Sequence, residues 1–288
     1  MKSKIAVLFL LFSVSLNLSY AQLKISLDNC IFKPEDKHIA EEKLKLFSSK
    51  AALPIAELIP EIGYSFLGTP YVGATLENGL EEKMVINLRE LDCTTFAENC
   101  LALARTVKSG ETDFESYVAE LEHIRYRDGI RNLYPSRLHY FSDWIHNNAQ
   151  KKIITDEPNL KGEKFNKKIN FMSSHPESYA VLKAHPELIP SITEQEKQLS
   201  SVSLYYFPKS DLANLLKNLH HGDIIGLTSS VDGLDINHVG IIVWKDSQFH
   251  LLHEPLSAGK VVISEGPITD FLKSESKNSG IMIARPVF

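Results

Sequence analysis

Asp92-Cys93 opens a run in which Phe96, Cys100, Leu103 and Val107 recur at helical spacing, so Cys93 falls at a helix N-terminus. There the unpaired backbone N–H groups and the positive end of the helix dipole should lower the thiol pKa and favour thiolate. The same N–H groups suit an oxyanion. Such a thiol becomes a nucleophile for acyl transfer when an imidazole can act as its base. The run Asn237-His238-Val239-Gly240-Ile241-Ile242-Val243 supplies one, because His238 leads into a β-branched strand. His253 lies on the next predicted strand, where a hairpin would bring it to His238 as the orienting partner. His250 is an odd number of residues away and would face the other side. Taken singly, a cysteine at a helix start and a histidine on a strand are ordinary structural residues. Together they define a Cys93–His238–His253 site.

The elements that must position these groups follow from periodicity. Ile55, Leu58, Ile59, Ile62 and Phe66 mark a helix between Leu53 and Leu67, which Pro60 would kink and Gly68-Thr69-Pro70 would end. After the Cys93 helix, which stops at Ser109-Gly110, Thr112-x-x-Glu115 reads as a capping box ahead of Phe114, Tyr117, Leu121 and Ile124. A further helix is expected from about His139 to Gln150, and short elements from Lys151 to Ser201 should wrap the main domain. Beyond a helix carrying Leu212, Leu215 and Leu216, the pattern turns to strands at Ile224–Leu227, Ile236–Trp244, Phe249–His253, Lys260–Ile263 and Gly280–Val287. Helices first and short strands afterwards give an α+β fold with an antiparallel sheet.

Residues 1–21 read as a signal peptide: Lys2 and Lys4 precede an apolar run from Ile5 to Leu18, and Ser19-Tyr20-Ala21 offers the cleavage site. The run is too short and too polar to span a bilayer, which needs roughly 20 apolar residues, so no stable membrane insertion is expected after cleavage. Residues 22–288 then form a single secreted or periplasmic domain. Losing the two lysines takes the formal charge from −5 to −7. That balance leaves no electrostatic footprint for nucleic acid. In an exported chain, three cysteines leave at least one thiol unpaired. Cys93 and Cys100, seven residues apart on one helix, sit about 10 Å apart, beyond the ~7 Å limit for a disulfide. Cys100 reads as a small buried hydrophobe, and Cys30 could reach either of the others.

An ordered set of motifs runs through the chain: Gly68-Thr69-Pro70-Tyr71, Asp92-Cys93, Gly222-Asp223, His238-Val239-Gly240 and His253. It resembles the NlpC-type branch of papain-like cell-wall hydrolases, and "LDCTTFAENCLALA", "IRYRDG", "RLHYFSDW" and "GLDINHVGII" resemble the N-acetylmuramoyl-L-alanine amidase-like family within it. The resemblance implies a papain-like fold in which N-terminal helices, with the nucleophile at a helix start, pack on the sheet beside a helical insertion. It also implies Cys93 as nucleophile, His238 as base, His253 as orienter, and Tyr71 as a wall residue supporting the oxyanion. Asp92 would anchor a substrate amine or simply cap the helix. Arg137, His139, Tyr140 and Trp144 are family-like. Arg137 and His139 are candidates for substrate binding, while packing is the expected role of Trp144. Thr94-Thr95 replaces the family's small Ser-Gly pair, and the long gap from Tyr71 to Cys93 suggests an added substrate wall. The implied substrate is peptidoglycan or a muropeptide, with no cofactor and no metal.

The expected cut is the N-acetylmuramoyl–L-alanine amide. The alternative within the fold is a γ-D-glutamyl–diamino acid endopeptidase. Two further readings compete: a zinc amidase using His238, His253 and Glu254 as ligands, and a non-catalytic wall-binding module. The first lacks H-E-x-x-H spacing and leaves Asp92-Cys93 without a use.

Overall fold

The structure is a computed structural model, and it describes residues 27–288. The expected signal peptide lies outside the described residues. Among the described residues are ten α-helices: α1 (Pro34–Ser48), α2 (Ile55–Tyr64), α3 (Cys93–Lys108), α4 (Phe114–Arg125), α5 (Phe141–Gln150), α6 (Phe171–Ser174), α7 (Ala180–Ala184), α8 (Ile189–Ser201), α9 (Leu212–Asn218) and α10 (Ile268–Ser274). The strands are β1 (Cys30–Ile31), β2 (Met84–Val85), β3 (Ile154–Thr155), β4 (Glu163–Lys164), β5 (Tyr205–Pro208), β6 (Ile224–Ser229), β7 (Ile236–Lys245), β8 (Gln248–His253), β9 (Val262–Ile263) and β10 (Asn278–Pro286). The fold is α+β, with the main sheet ordered β4-β5-β10-β6-β7-β8-β9 and β3 joined to β10. Every pairing in it is antiparallel.

Apolar side chains alternate along β7 and β8, and both faces of the sheet are covered. Val239, Ile241, Val243 and Leu252 face the core shared with α1–α5. Ile242 and Leu251 face a second core closed by Leu215 of α9 and by Ile268 and Leu272 of α10. This double covering explains why β6 is buried at all six positions although its neighbours are antiparallel. α2 comes close enough to the sheet that a Cβ on Gly63 would lie 2.7 Å from Leu252.

Pro60 stays inside α2 and removes the N–H that the Ala56 carbonyl would have accepted. Gly222, at φ +84°, rests against that carbonyl, where a Cβ would approach to 2.1 Å. The Gly222-Asp223 pair is therefore a packing device: Asp223 then takes Arg285 in a bidentate pair at 2.8 and 2.9 Å and locks β10 to the turn before β6. One local expectation is corrected. The cap of α4 is Asp113, whose Oδ1 accepts from the Ser116 N–H at 2.9 Å, so the cap sits one residue later than the expected Thr112 box. The short carboxylate of Asp113 reaches the third N–H of the helix directly.

Residues 151–201 form short elements, of which α8 is the longest. Its anchor is Tyr140, whose hydroxyl donates to Glu196 of α8 at 2.7 Å and accepts from the Met172 N–H of α6 at 2.8 Å. No helix among the described residues is long and apolar enough to cross a membrane.

Candidate active site

The first turn of α3 is built by Asp92. Its Oδ1 accepts from the N–H groups of Thr94 (3.1 Å) and Thr95 (2.8 Å), and its own N–H donates to Thr95 Oγ1 at 2.8 Å. The Thr94-Thr95 pair that departs from the family pattern thus completes a reciprocal capping box. The Phe96 N–H goes to the Asp92 carbonyl at 2.8 Å, so among the first-turn donors the N–H of Cys93 stays uncommitted. Replacing Asp92 with alanine should cost about 1 kcal/mol of stability, the usual loss for an N-cap. Urea denaturation measures it, and asparagine at this position should retain most of the cap.

Cys93 Sγ is met by the backbone N–H of Val239 and by the N–H and hydroxyl of Thr94. These donors would stabilise a thiolate, yet burial and the neighbouring Asp92 charge outweigh them and push the thiol up to about 11. The expected lowering is therefore corrected: the resting group is a neutral thiol. Cys30, Cys93 and Cys100 form no disulfide with one another. Cys100 is fully buried in α3, as expected.

The β7–β8 hairpin brings the two imidazoles together. Gly240 lies directly opposite His253, and His238 is the diagonal neighbour two residues earlier on the same face. His253 Cβ would come within 3.1 Å of a Cβ on Gly240, so glycine leaves His253 room to lie across β7. His238 Nε2 and His253 Nδ1 are 2.8 Å apart. Phe271 of α10 closes the far side, edge-on to His253 at 5.2 Å. His250 turns elsewhere and donates from Nδ1 to the Ser264 carbonyl at 3.0 Å. Among the described residues no hydrogen bond joins Cys93 to His238; the thiol meets the backbone of Val239, the next residue along β7.

Burial holds both imidazoles neutral, pushing His238 down to about 4 and, with the neighbouring His238, His253 down to about 3. Glu254 is fully buried with neither carboxyl oxygen hydrogen-bonded, and burial with the Asp92 charge pushes it up to about 8. These shifts have opposite signs for stability. As pH falls below about 6.5, the unfolded chain binds protons that the folded histidines refuse until about pH 4 to 3, so stability should be lost across that window. As pH rises above about 4.3, the unfolded chain releases a proton that folded Glu254 keeps up to about 8, so its contribution is lost in the alkaline direction. Thermal melts against pH should show both slopes, and Glu254→Gln should remove only the alkaline one.

Tyr71 is tied in by its backbone, donating its N–H to the Gly259 carbonyl at 2.9 Å and bridging to Leu91. Burial, then the charges of Cys93, Asp92 and Glu254, raise its phenol, which keeps its proton as a donor. Arg137 and His139 are not part of this constellation. Arg137 is 5% exposed and pairs with Glu77 at 2.5 Å, and its guanidinium lies over the Tyr134 ring at 4.9 Å. It therefore pins the segment between Tyr71 and Cys93 from behind. His139 packs tilted against the Tyr134 ring, centroids 4.4 Å apart, and donates from Nε2 to that residue's carbonyl at 2.9 Å, with burial holding it neutral. Trp144 packs on Phe141 at 5.3 Å. Sequence reasoning missed Asp235, whose buried carboxylate takes the N–H and hydroxyl of Ser142 at 2.7 and 2.8 Å and fixes α5 to the start of β7. Its signal was an aspartate three residues before His238, between the apolar Leu234 and Ile236. No group of three His, Cys, Asp or Glu among the described residues could hold a metal ion. The two imidazoles engage each other, which counts against the proposed zinc set.

A cleft of ≈ 740 Å³ opens beside the imidazole pair, between the β8–β9 turn and α10. The α+β scaffold carries a capped cysteine at a helix start and, on its sheet, a hydrogen-bonded imidazole pair. The description of the N-acetylmuramoyl-L-alanine amidase-like family matches residues 61–281, and the chain belongs to that family. It is similar to an N-acetylmuramoyl-L-alanine amidase from Bacteroides uniformis, with 36% identity and a TM-score of 0.77 over 81% of this chain and 99% of that one. A Bacteroides fragilis protein described as a candidate xylanase gives 38% identity and a TM-score of 0.72 over 77% of this chain and 98% of its own. A Legionella pneumophila protein, 22% identical with a TM-score of 0.63 over 88% and 97%, shares the fold alone. Comparison with curated proteins finds no match.

Proposed function

We propose that the protein is an exported peptidoglycan hydrolase of papain-like, NlpC-type build that cleaves the N-acetylmuramoyl–L-alanine amide through Cys93, His238 and His253. The observation that carries this reading is the meeting of α3 and β7: the thiol rests on the Val239 N–H, and the preceding residue is one half of the 2.8 Å imidazole pair. With His238 Nε2 donating to His253 Nδ1, His238 Nδ1 holds the lone pair that serves as base. Sγ attacks the lactyl carbonyl carbon while its proton passes to His238. The Cys93 N–H and the Tyr71 hydroxyl are the donors for the oxyanion. The imidazolium, supported by His253, returns its proton to the departing L-alanine nitrogen as the C–N bond breaks. Water, deprotonated by His238, then releases the thioester. Starting from a neutral pair, proton transfer accompanies attack, and activity should persist well below neutral pH.

Digestion of purified sacculi followed by mass spectrometry of the products tests the bond. Intact stem peptides are expected. Release of L-Ala–D-Glu dipeptides would instead show the endopeptidase cut, and inactivation by a chelator but not by iodoacetamide would favour zinc.

A further inference from the structure

We propose that Glu254 must stay protonated for the site to work, so that its ionisation is an alkaline off-switch on the chemistry at Cys93 and Tyr71. This rests on the reading of Cys93 as nucleophile and Tyr71 as oxyanion donor. Glu254 directly follows His253, and it is 0% exposed with neither carboxyl oxygen hydrogen-bonded. The backbone carries it to the start of α3. Segment 68–71 pairs on one side with the turn after Glu254, through the Gly68 N–H to the Val261 carbonyl (3.0 Å) and the Tyr71 N–H to the Gly259 carbonyl (2.9 Å). On the other side it takes the Leu91 N–H on the Pro70 carbonyl at 3.1 Å, one residue before Asp92. The groups that feel the Glu254 charge are accordingly Tyr71 on this strap and Asp92 and Cys100 on α3. Lys43 of α1, on the far side of Cys100, donates to the Ser65 carbonyl and hydroxyl at 2.9 and 2.8 Å and not to Glu254. A buried carboxylate with no donor and an anionic neighbour is costly, so the neutral acid is the resting form.

The two carboxyls beside Cys93 are not equivalent. Oδ1 of Asp92 is taken up by the N–H groups of Thr94 and Thr95 and by the Thr95 hydroxyl, which spread its charge into the helix start. Glu254 has no such donors, so once ionised its field falls on Tyr71 and the first turn of α3. Attack carries negative charge from Sγ to the oxyanion, and a second, uncompensated anion behind Tyr71 opposes both. Burial, then the Asp92 charge, push Glu254 up to about 8, so the site is free of this charge at neutral pH and acquires it as pH rises. His238 and His253 titrate far below this range, and the Cys93 thiol, pushed up to about 11, above it. A loss of activity between neutral pH and the thiol range therefore belongs to Glu254.

The pH profile of kcat/KM on a disaccharide muropeptide tests this. The wild-type value should fall about tenfold between about pH 7 and about pH 9.5 while circular dichroism stays native. Glu254→Gln keeps the shape of the side chain and cannot ionise, so it should abolish this limb and leave the acid limb in place. Alkylation of Cys93 by iodoacetamide, followed by mass spectrometry of the peptide that carries it, needs no substrate. Variant and wild type should react alike at about pH 6, and the variant about fivefold faster at about pH 9.5. A native wild-type protein without an alkaline limb, a limb that persists in the folded variant, or an alkylation ratio that ignores pH overturns the proposal. If neither protein cleaves the muropeptide, the amidase reading falls, and the alkylation ratio still decides for or against Glu254.

Discussion

Cys93→Ala is expected to lower kcat/KM on purified sacculi by about 10⁴-fold or more, the scale seen when a covalent nucleophile is removed. The fold should survive. The Asp92 cap depends on Thr94 and Thr95 and not on the thiol, and α3 stays packed through Phe96, Leu103 and Val107. A change of about 1 kcal/mol or less in denaturant stability, with activity gone, would separate chemistry from folding. Cys100→Ala is the control: it removes a more deeply buried thiol from the same helix and should leave turnover nearly intact. If Cys93→Ala still releases stem peptides at a comparable rate, the thioester route is wrong and another group attacks the amide.

His238→Ala should cost about 10³- to 10⁴-fold, since it removes both the base and the acid that protonates the leaving amine. The more discriminating substitutions are at His253. If His253 acts by accepting the Nε2–H of His238 across 2.8 Å, asparagine can supply a carbonyl oxygen there while leucine cannot. His253→Asn is then expected to retain a substantial part of the activity, and His253→Leu to fall by about 10²-fold or more as the tautomer of His238 is lost. Equal losses in the two variants, with unchanged melting behaviour, would mean that His253 serves only as packing against Phe271. The pH–rate profile gives an independent readout. With burial holding His238 near 4, the acid limb of kcat/KM should lie well below the ordinary histidine range, and solvation of the pair in His253→Leu should move it upward.

Much of this site was legible in the chain because its parts are local. The helix start at Asp92-Cys93, the strand His238–Val243 and the next strand ending at His253 each announce themselves by period and by turn residues. The separation of Cys93 from Cys100 followed from helical rise alone. The Asp113 cap and the packing role of Gly222 were less legible, because each depends on which nearby side chain or carbonyl is in reach. Arg137 and His139 illustrate the same limit: both look like substrate ligands in a motif, but Glu77 and Tyr134 claim them once the chain is folded.

By itself, then, the sequence determined the α+β order of elements, the residue types of the candidate site and the register that puts His238 and His253 on one face. Only the tertiary structure decided their electrostatics. Helix position predicted a depressed thiol, but enclosure of Cys93 against β7 makes desolvation the larger effect and raises it. Burial likewise keeps the histidines neutral and Glu254 protonated. Desolvation depends on what surrounds a group from every direction, and in this protein those surroundings are assembled from segments up to two hundred residues apart in the chain, which no local pattern records.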